Sequence, residues 1–242
     1  MLSHVPAVEL RVLADEQQAA RATAELLVEA ARLGKAIVLT GGSTPRRAYE
    51  VAAGLEPDWH RARLWWGDER CVPPEHEWSN YGMAKAALFD RLANAPAEVH
   101  RIEGELGAEE AAARYDRALH GATLELVLLG LGPDGHAASL YPNAPTLGER
   151  ERLAVPAEAK LDPFVDRVTL TIPALESAPE MVYLVAGVSK AEAVKRAFES
   201  PPDPAAPASL IRSRRGRTLA ILDSAAASEL EGAGHGGADS YI

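Results

Sequence analysis

The run LGLGPDGHAASLYP at residues 129–142 gathers the residue types that proton chemistry needs. A carboxylate, Asp134, stands two positions before an imidazole, His136, among glycines that permit a tight turn. An imidazole titrates near neutral pH, so His136 suits a general base that takes a proton from water. Asp134 is close enough in sequence to orient or polarise it. The same run carries Gly130, Gly132 and Gly135 in the spacing of a dinucleotide cradle. That reading needs a helix after the glycines and an acidic residue about 20 positions on. Pro142 stops a helix soon after His136, and Pro133 removes a backbone N–H that would face a pyrophosphate. Glu149 and Glu151 follow on no readable strand. The glycines are therefore read as the hinge of a turn that presents His136. The plain alternative is a loop histidine with one local hydrogen bond and Asp134 as a turn residue.

Two further segments offer anion chemistry. In VLTGGSTPRRAYE, residues 38–50, Gly41, Gly42, Ser43 and Thr44 lie between an apolar run and a helix start. Free N–H groups and hydroxyls at a helix N-terminus make an anion site. Arg46 and Arg47 fall in the first turn, where cations oppose the helix dipole, and a bound phosphate would offset that penalty. A simple strand–helix turn capped by Thr44 is the alternative. The segment lacks the Gly-Lys-Ser/Thr ending of a P-loop, and Pro45 stands where a serine-hydrolase elbow needs glycine. After the next apolar run come Asp68, Glu69 and Arg70, either a solvated turn or the wall of a polar site. Arg70 could grip a phosphate or carboxylate with its planar fork, and Ser79 is a plausible N-cap for the following helix.

The elements that must position these residues alternate along the chain. Strands are expected at 8–13, 36–40, 63–66, 98–102, 124–129, 167–171, 181–186 and 218–222. Helices are expected at 16–33, 44–53, 79–92, 108–119 and 190–198. Such alternation favours a parallel sheet with helices on both faces. Residues 200–208, SPPDPAAPA, form a rigid loop too short to be read as a domain linker, and no internal repeat is present. One domain over residues 1–242 is expected, with residues 232–242 as a flexible tail.

Bulk properties narrow the function classes. The 242 residues are 47% hydrophobic and 25% charged, the mix of a soluble chain with a real core. Aromatics are only 5%, so Leu, Val and Ala must fill most of it. A net charge of −10 opposes nucleic-acid binding but leaves room for a local basic pocket. Cys71 is the only cysteine, which excludes an intramolecular disulfide and a cysteine metal cage. No signal peptide and no apolar run of membrane-spanning length are read, so a cytoplasmic location is expected, with no membrane and no obligate protein partner.

The ordered set GGSTP, GDER…P…SN, GLGPDGHAASLYP and RVTLT resembles the 6-phosphogluconolactonase family, within the sugar-phosphate isomerases and deaminases. The resemblance runs from Val8 to Asp223. It implies a three-layer α/β/α fold with a mostly parallel central sheet, and hydrolysis of 6-phospho-D-glucono-1,5-lactone to 6-phospho-D-gluconate in the oxidative pentose phosphate pathway. The partner would be this small sugar-phosphate lactone, with His136 as base and no cofactor or metal. The resemblance places Gly41, Gly42, Ser43, Thr44, Asp68 and Arg70 in the substrate and phosphate site, and adds Arg167 and Lys190 as further anion contacts. Read without it, Arg167 is a strand-edge charge and Lys190 a solvated helix residue. Glucosamine-6-phosphate deaminases of the same group tend to carry Asp-Glu-Tyr where this chain has Asp68-Glu69-Arg70. They also follow the histidine with an Ile-Ala-Phe-Asn-Glu type of segment, where this chain has Ala137-Ala138-Ser139-Leu140-Tyr141 and no carboxylate. Lactone hydrolysis is the expected activity. A non-catalytic sugar-phosphate sensor would keep the phosphate turn but lose the histidine.

Overall fold

A computed structural model describes residues 7–160 and 162–231. The first strand, β1 (Val8–Leu13), leads into α1 (Glu16–Arg32), whose start is set by Asp15 accepting the Gln18 N–H at 2.8 Å. Its end is set by Gly34, left-handed at φ +71°. One stripe of α1, including Ala20, Ala24, Leu27 and Ala31, is buried against the sheet and against α2 (Ser43–Leu55). Between these helices runs β2 (Ala36–Leu39), and β3 (Arg63–Trp66) follows α2. The chain continues through β4 (Asp68–Arg70), α3 (Asn80–Ala87), β5 (Glu98–Val99), α4 (Ala108–Leu119) and β6 (Leu126–Leu129). The remainder is β7 (Ala154–Ala157), β8 (Arg167–Leu170), α5 (Ile172–Glu176), β9 (Glu180–Val185), α6 (Ala191–Phe198) and β10 (Arg217–Asp223).

Seven strands form a parallel sheet in the order β1-β10-β9-β6-β2-β3-β5, flanked by helices in the expected α/β/α layering. Its central strands are covered on both faces, so β2 and β6 are apolar and buried at every position. From β2 the chain moves outward to β3 and β5. After β6 its parallel strands lie on the other side, at β9 and β10. The connections leaving the carboxyl ends of β2 and β6 therefore diverge and open a crevice, the usual ligand position in such sheets.

A second sheet, antiparallel in the order β4-β8-β7, was not expected. Residues 167–171 were read as a strand, and β8 lies in this small sheet rather than in the large one. Its partners carry no strand signal of their own. Asp68, Glu69 and Arg70 are all charged, and β7 contains Pro156, tolerated because β7 is an edge. The helix expected over 79–92 is α3 followed by a separate 3-10 turn at Phe89–Arg91. The short α5 was also unanticipated. The tail expected at 232–242 lies outside the described residues. Among the described residues, no helix is long and apolar enough to cross a membrane.

Candidate active site

The turn after β2 is shaped by what glycine lacks. A Cβ on Gly41 would lie 2.0 Å from Oδ1 of Asn80, so only glycine lets the turn close on that side chain. Gly42 caps α2 at φ +114°, and Ser43 opens the helix. The first N–H groups of α2 have no acceptor within the helix. Buried Tyr49 locks the strand end to the helix: its hydroxyl accepts from Thr40 N–H at 2.9 Å and donates to Thr40 C=O at 2.8 Å. Arg46 and Arg47 turn to solvent, where they pair with Glu50 and Glu16.

Strand alternation sorts the three charges of β4. Asp68 and Arg70 line the crevice, while Glu69 points the other way. Glu69 is buried and accepts from the N–H groups of Arg70, Asn80 and Tyr81 and from the Ser79 hydroxyl, which anchors the start of α3. Burial pushes its carboxyl above the ordinary range, against the pull of those hydrogen bonds. Ser79 caps α3, accepting the Gly82 N–H at 2.9 Å.

Register places Arg70 directly opposite Arg167 across β4 and β8. Like charges so placed repel. Neither arginine has a carboxylate within ion-pair distance among the described residues, and the Nε of each is buried without a partner. Each is instead tethered through a backbone carbonyl, Arg70 to Trp78 at 2.7 Å and Arg167 to Pro163 at 3.2 Å. Lys190, at the end of the Val188–Lys190 turn after β9, is half-buried; burial pulls its ammonium below the ordinary range, against the attraction of Asp134. Three cations thus converge in a chain whose net charge is −10.

The turn after β6 carries the histidine. Asp134 Oδ1 lies 2.5 Å from His136 Nδ1. Burial raises the Asp134 carboxyl, but hydrogen bonding and charge attraction from His136 outweigh it and hold the group below the usual carboxylate range. An ionised carboxylate only accepts, so Nδ1 carries the proton and the neutral ring keeps its lone pair on Nε2. Nε2 has no protein partner among the described residues. Gly132 makes room for this pair, because its Cβ would lie 2.0 Å from Nδ1. Gly135 is needed twice, for φ +90° and for a close approach to Ala206. Tyr141 stacks at a tilt on the imidazole, 4.9 Å between centroids, with Arg167 over its ring at 6.0 Å.

These parts enclose one cavity of about 230 Å³. Gly41, Gly42, Ser43, Thr44, Asp68, Arg70, His136, Arg167 and Lys190 line it together, whereas Asp134 stands behind the imidazole and does not. Asn80, Ala138 and the residues 184–186 also line it; none was assigned to the site from sequence, although Asn80 and Ala138 fall within the segments that carry the family resemblance. Asn80 follows a helix cap, and nothing in its spacing announces that it touches Gly41. Cys71, beside Arg70, offers no nucleophile, since burial pushes its thiol up to about 11. Among the described residues, no group of three or more His, Cys, Asp or Glu side chains could hold a metal ion.

A sequence profile for glucosamine-6-phosphate isomerases/6-phosphogluconolactonase matches residues 14–220. The chain belongs to this family. A 6-phosphogluconolactonase of Streptomyces coelicolor is 37% identical, with 92% of this chain and 94% of the relative covered. The crystal structure of 6-phosphogluconolactonase from Leishmania guyanensis superposes with a TM-score of 0.82 at 27% identity, covering 93% of this chain and 99% of that one. A monomeric glucosamine-6-phosphate deaminase superposes nearly as well, TM-score 0.81 over 92% of this chain and 100% of its own, but at 18% identity it shows the fold alone. Family membership and fold thus leave lactonase and deaminase to be separated by the side chains in the cavity.

Proposed function

We propose that this chain hydrolyses 6-phospho-D-glucono-1,5-lactone to 6-phospho-D-gluconate, with His136 as the general base. The observation that carries the reading is a single cavity holding an Asp134-oriented imidazole and three cations, none with a carboxylate within ion-pair distance among the described residues. A dianionic phosphate supplies the missing charge for Arg70, Arg167 and Lys190, and the first N–H groups of α2 can bind its oxygens. The Streptomyces and Leishmania relatives bear the lactonase name, which supports the same substrate.

In this mechanism His136 Nε2 takes a proton from water as the water oxygen bonds to the lactone carbonyl carbon. The tetrahedral intermediate then collapses, the bond from that carbon to the ring oxygen breaks, and His136 returns the proton to the ring oxygen. The product is an open-chain acid that ionises in water. An ester-like carbonyl is already electrophilic, so the steps need no metal. The reaction belongs to the oxidative pentose phosphate pathway of the cytoplasm.

The deaminase reading is disfavoured by the residues themselves. Arg70 stands where deaminases tend to carry tyrosine, and the segment after His136 contributes Ala138 to the cavity rather than a carboxylate. The test is direct. Purified protein should accelerate acid release from freshly made lactone beyond its spontaneous opening and release no ammonia from glucosamine 6-phosphate. The opposite pair of results would assign the chain to the deaminases.

A further inference from the structure

Asp68 lines the cavity, yet both of its carboxylate oxygens have protein partners. Oδ2 accepts from the Ser139 hydroxyl at 2.6 Å, and Oδ1 accepts from Asn80 Nδ2 at 3.2 Å. Ser139 is fully buried and makes a second bond, donating its backbone N–H to Thr169 Oγ1 at 3.2 Å. Asp68 and Thr169 are themselves a cross-strand pair of β4 and β8, two residues along each strand from the Arg70–Arg167 pair. One residue therefore joins the turn that carries His136 to both strands that carry the paired arginines.

The backbone beside it explains why such a joint is needed. Ala138, between His136 and Ser139, is left-handed at φ +50°. A non-glycine residue in that region is strained and persists only where its surroundings over-determine it. Ser139 supplies two fixed points immediately after the strained residue, and the Tyr141 ring packs against the imidazole.

We propose that Ser139 is a positioning residue for His136, holding the imidazole in register with the two arginines through Asp68 and Thr169. The proposal rests on the lactonase reading for its kinetic consequence. A base displaced by about 1 Å can lose 10²-fold in rate, while the phosphate contacts on β4 and β8 stay in place. Ser139 thus governs turnover and leaves binding alone.

The experiment compares Ser139→Ala with the unsubstituted chain, in both the His136 and the His136→Asn backgrounds, with folding checked by circular dichroism. Ser139→Ala should lower kcat by about 10²-fold with KM unchanged, and should cost nothing further once His136 is Asn. A merely structural serine would give the same loss in both backgrounds, and that result, or an unchanged kcat, overturns the proposal. If Ser139→Ala does not fold, Thr169→Val, which removes the acceptor of the Ser139 N–H together with a hydroxyl bond to the Leu170 carbonyl, carries the same comparison. The ring-nitrogen resonances of His136 report its placement whatever the substrate. They should shift or broaden in either variant, and unchanged resonances overturn the proposal. Lack of lactone hydrolysis by the unsubstituted chain would instead overturn the functional reading and leave this comparison intact.

Discussion

A methyl group on Gly132 would sit 2.0 Å from Nδ1 of His136 and 2.6 Å from Oδ1 of Asp134. The glycine spacing of this turn therefore serves the histidine, not a dinucleotide. Gly132→Ala must push the imidazole or the carboxylate out of place. We expect turnover to fall by about 10²-fold with the fold retained, because Gly132 lines the cavity and the atoms its methyl meets belong to His136 and Asp134. Steady-state kinetics together with a thermal melt check this; normal turnover in Gly132→Ala would contradict it.

The Asp134 carboxyl is depressed in the folded chain. It therefore contributes stability that is present above the unfolded carboxyl pKa of about 3.9 and is lost as pH falls through its lower folded value. Asp134→Asn should be less stable than the parent at neutral pH, with the difference shrinking below about pH 4. Denaturant melts across that range measure it. Its turnover should fall less than that of a histidine variant, since orientation is lost and the base remains.

Arg70 and Arg167 face each other across β4 and β8 and repel, so an anion between them is worth more than either contact alone. Unphosphorylated gluconolactone should be a much poorer substrate, and Arg70→Ala should mainly raise KM, because the contact is shared by ground and transition states. The product 6-phosphogluconate should raise the melting temperature of the parent and raise it far less in Arg70→Ala. Equal activity on both lactones would remove the arginines from the phosphate site.

Lys190 loses its proton earlier than an exposed lysine because it is half-buried, with Asp134 only partly opposing that effect. Affinity for 6-phosphogluconate should therefore weaken on the alkaline side before ordinary lysines titrate. Calorimetry against pH should show that limb in the parent and lose it in Lys190→Met. The same limb in both proteins would place Lys190 outside the site.

Much of this site was legible because its residues follow buried apolar strands. Strands β2 and β6 read as short continuous runs, and the chemistry sits in the turns at their carboxyl ends. Arg167 and Lys190 were reached through the family resemblance, since a lone charge at a strand or helix end carries no signal of its own. The small antiparallel sheet was not legible, because β4 is three charged residues held by pairing with β8 and β7 contains a proline. Nor were Asn80 and Ser139. Both act through contacts with Asp68, which lies 12 and 71 positions away. Glu69 was read only as one more charge in a turn, while its role in starting α3 depends on a helix that begins eleven residues later.

The central claim is that His136 is the base. His136→Asn keeps a side chain of similar polarity in the turn but cannot accept the water proton. Turnover on 6-phosphogluconolactone, corrected for spontaneous opening, should fall by about 10²–10⁴-fold with affinity for 6-phosphogluconate preserved. Near-normal turnover in that variant would contradict the account.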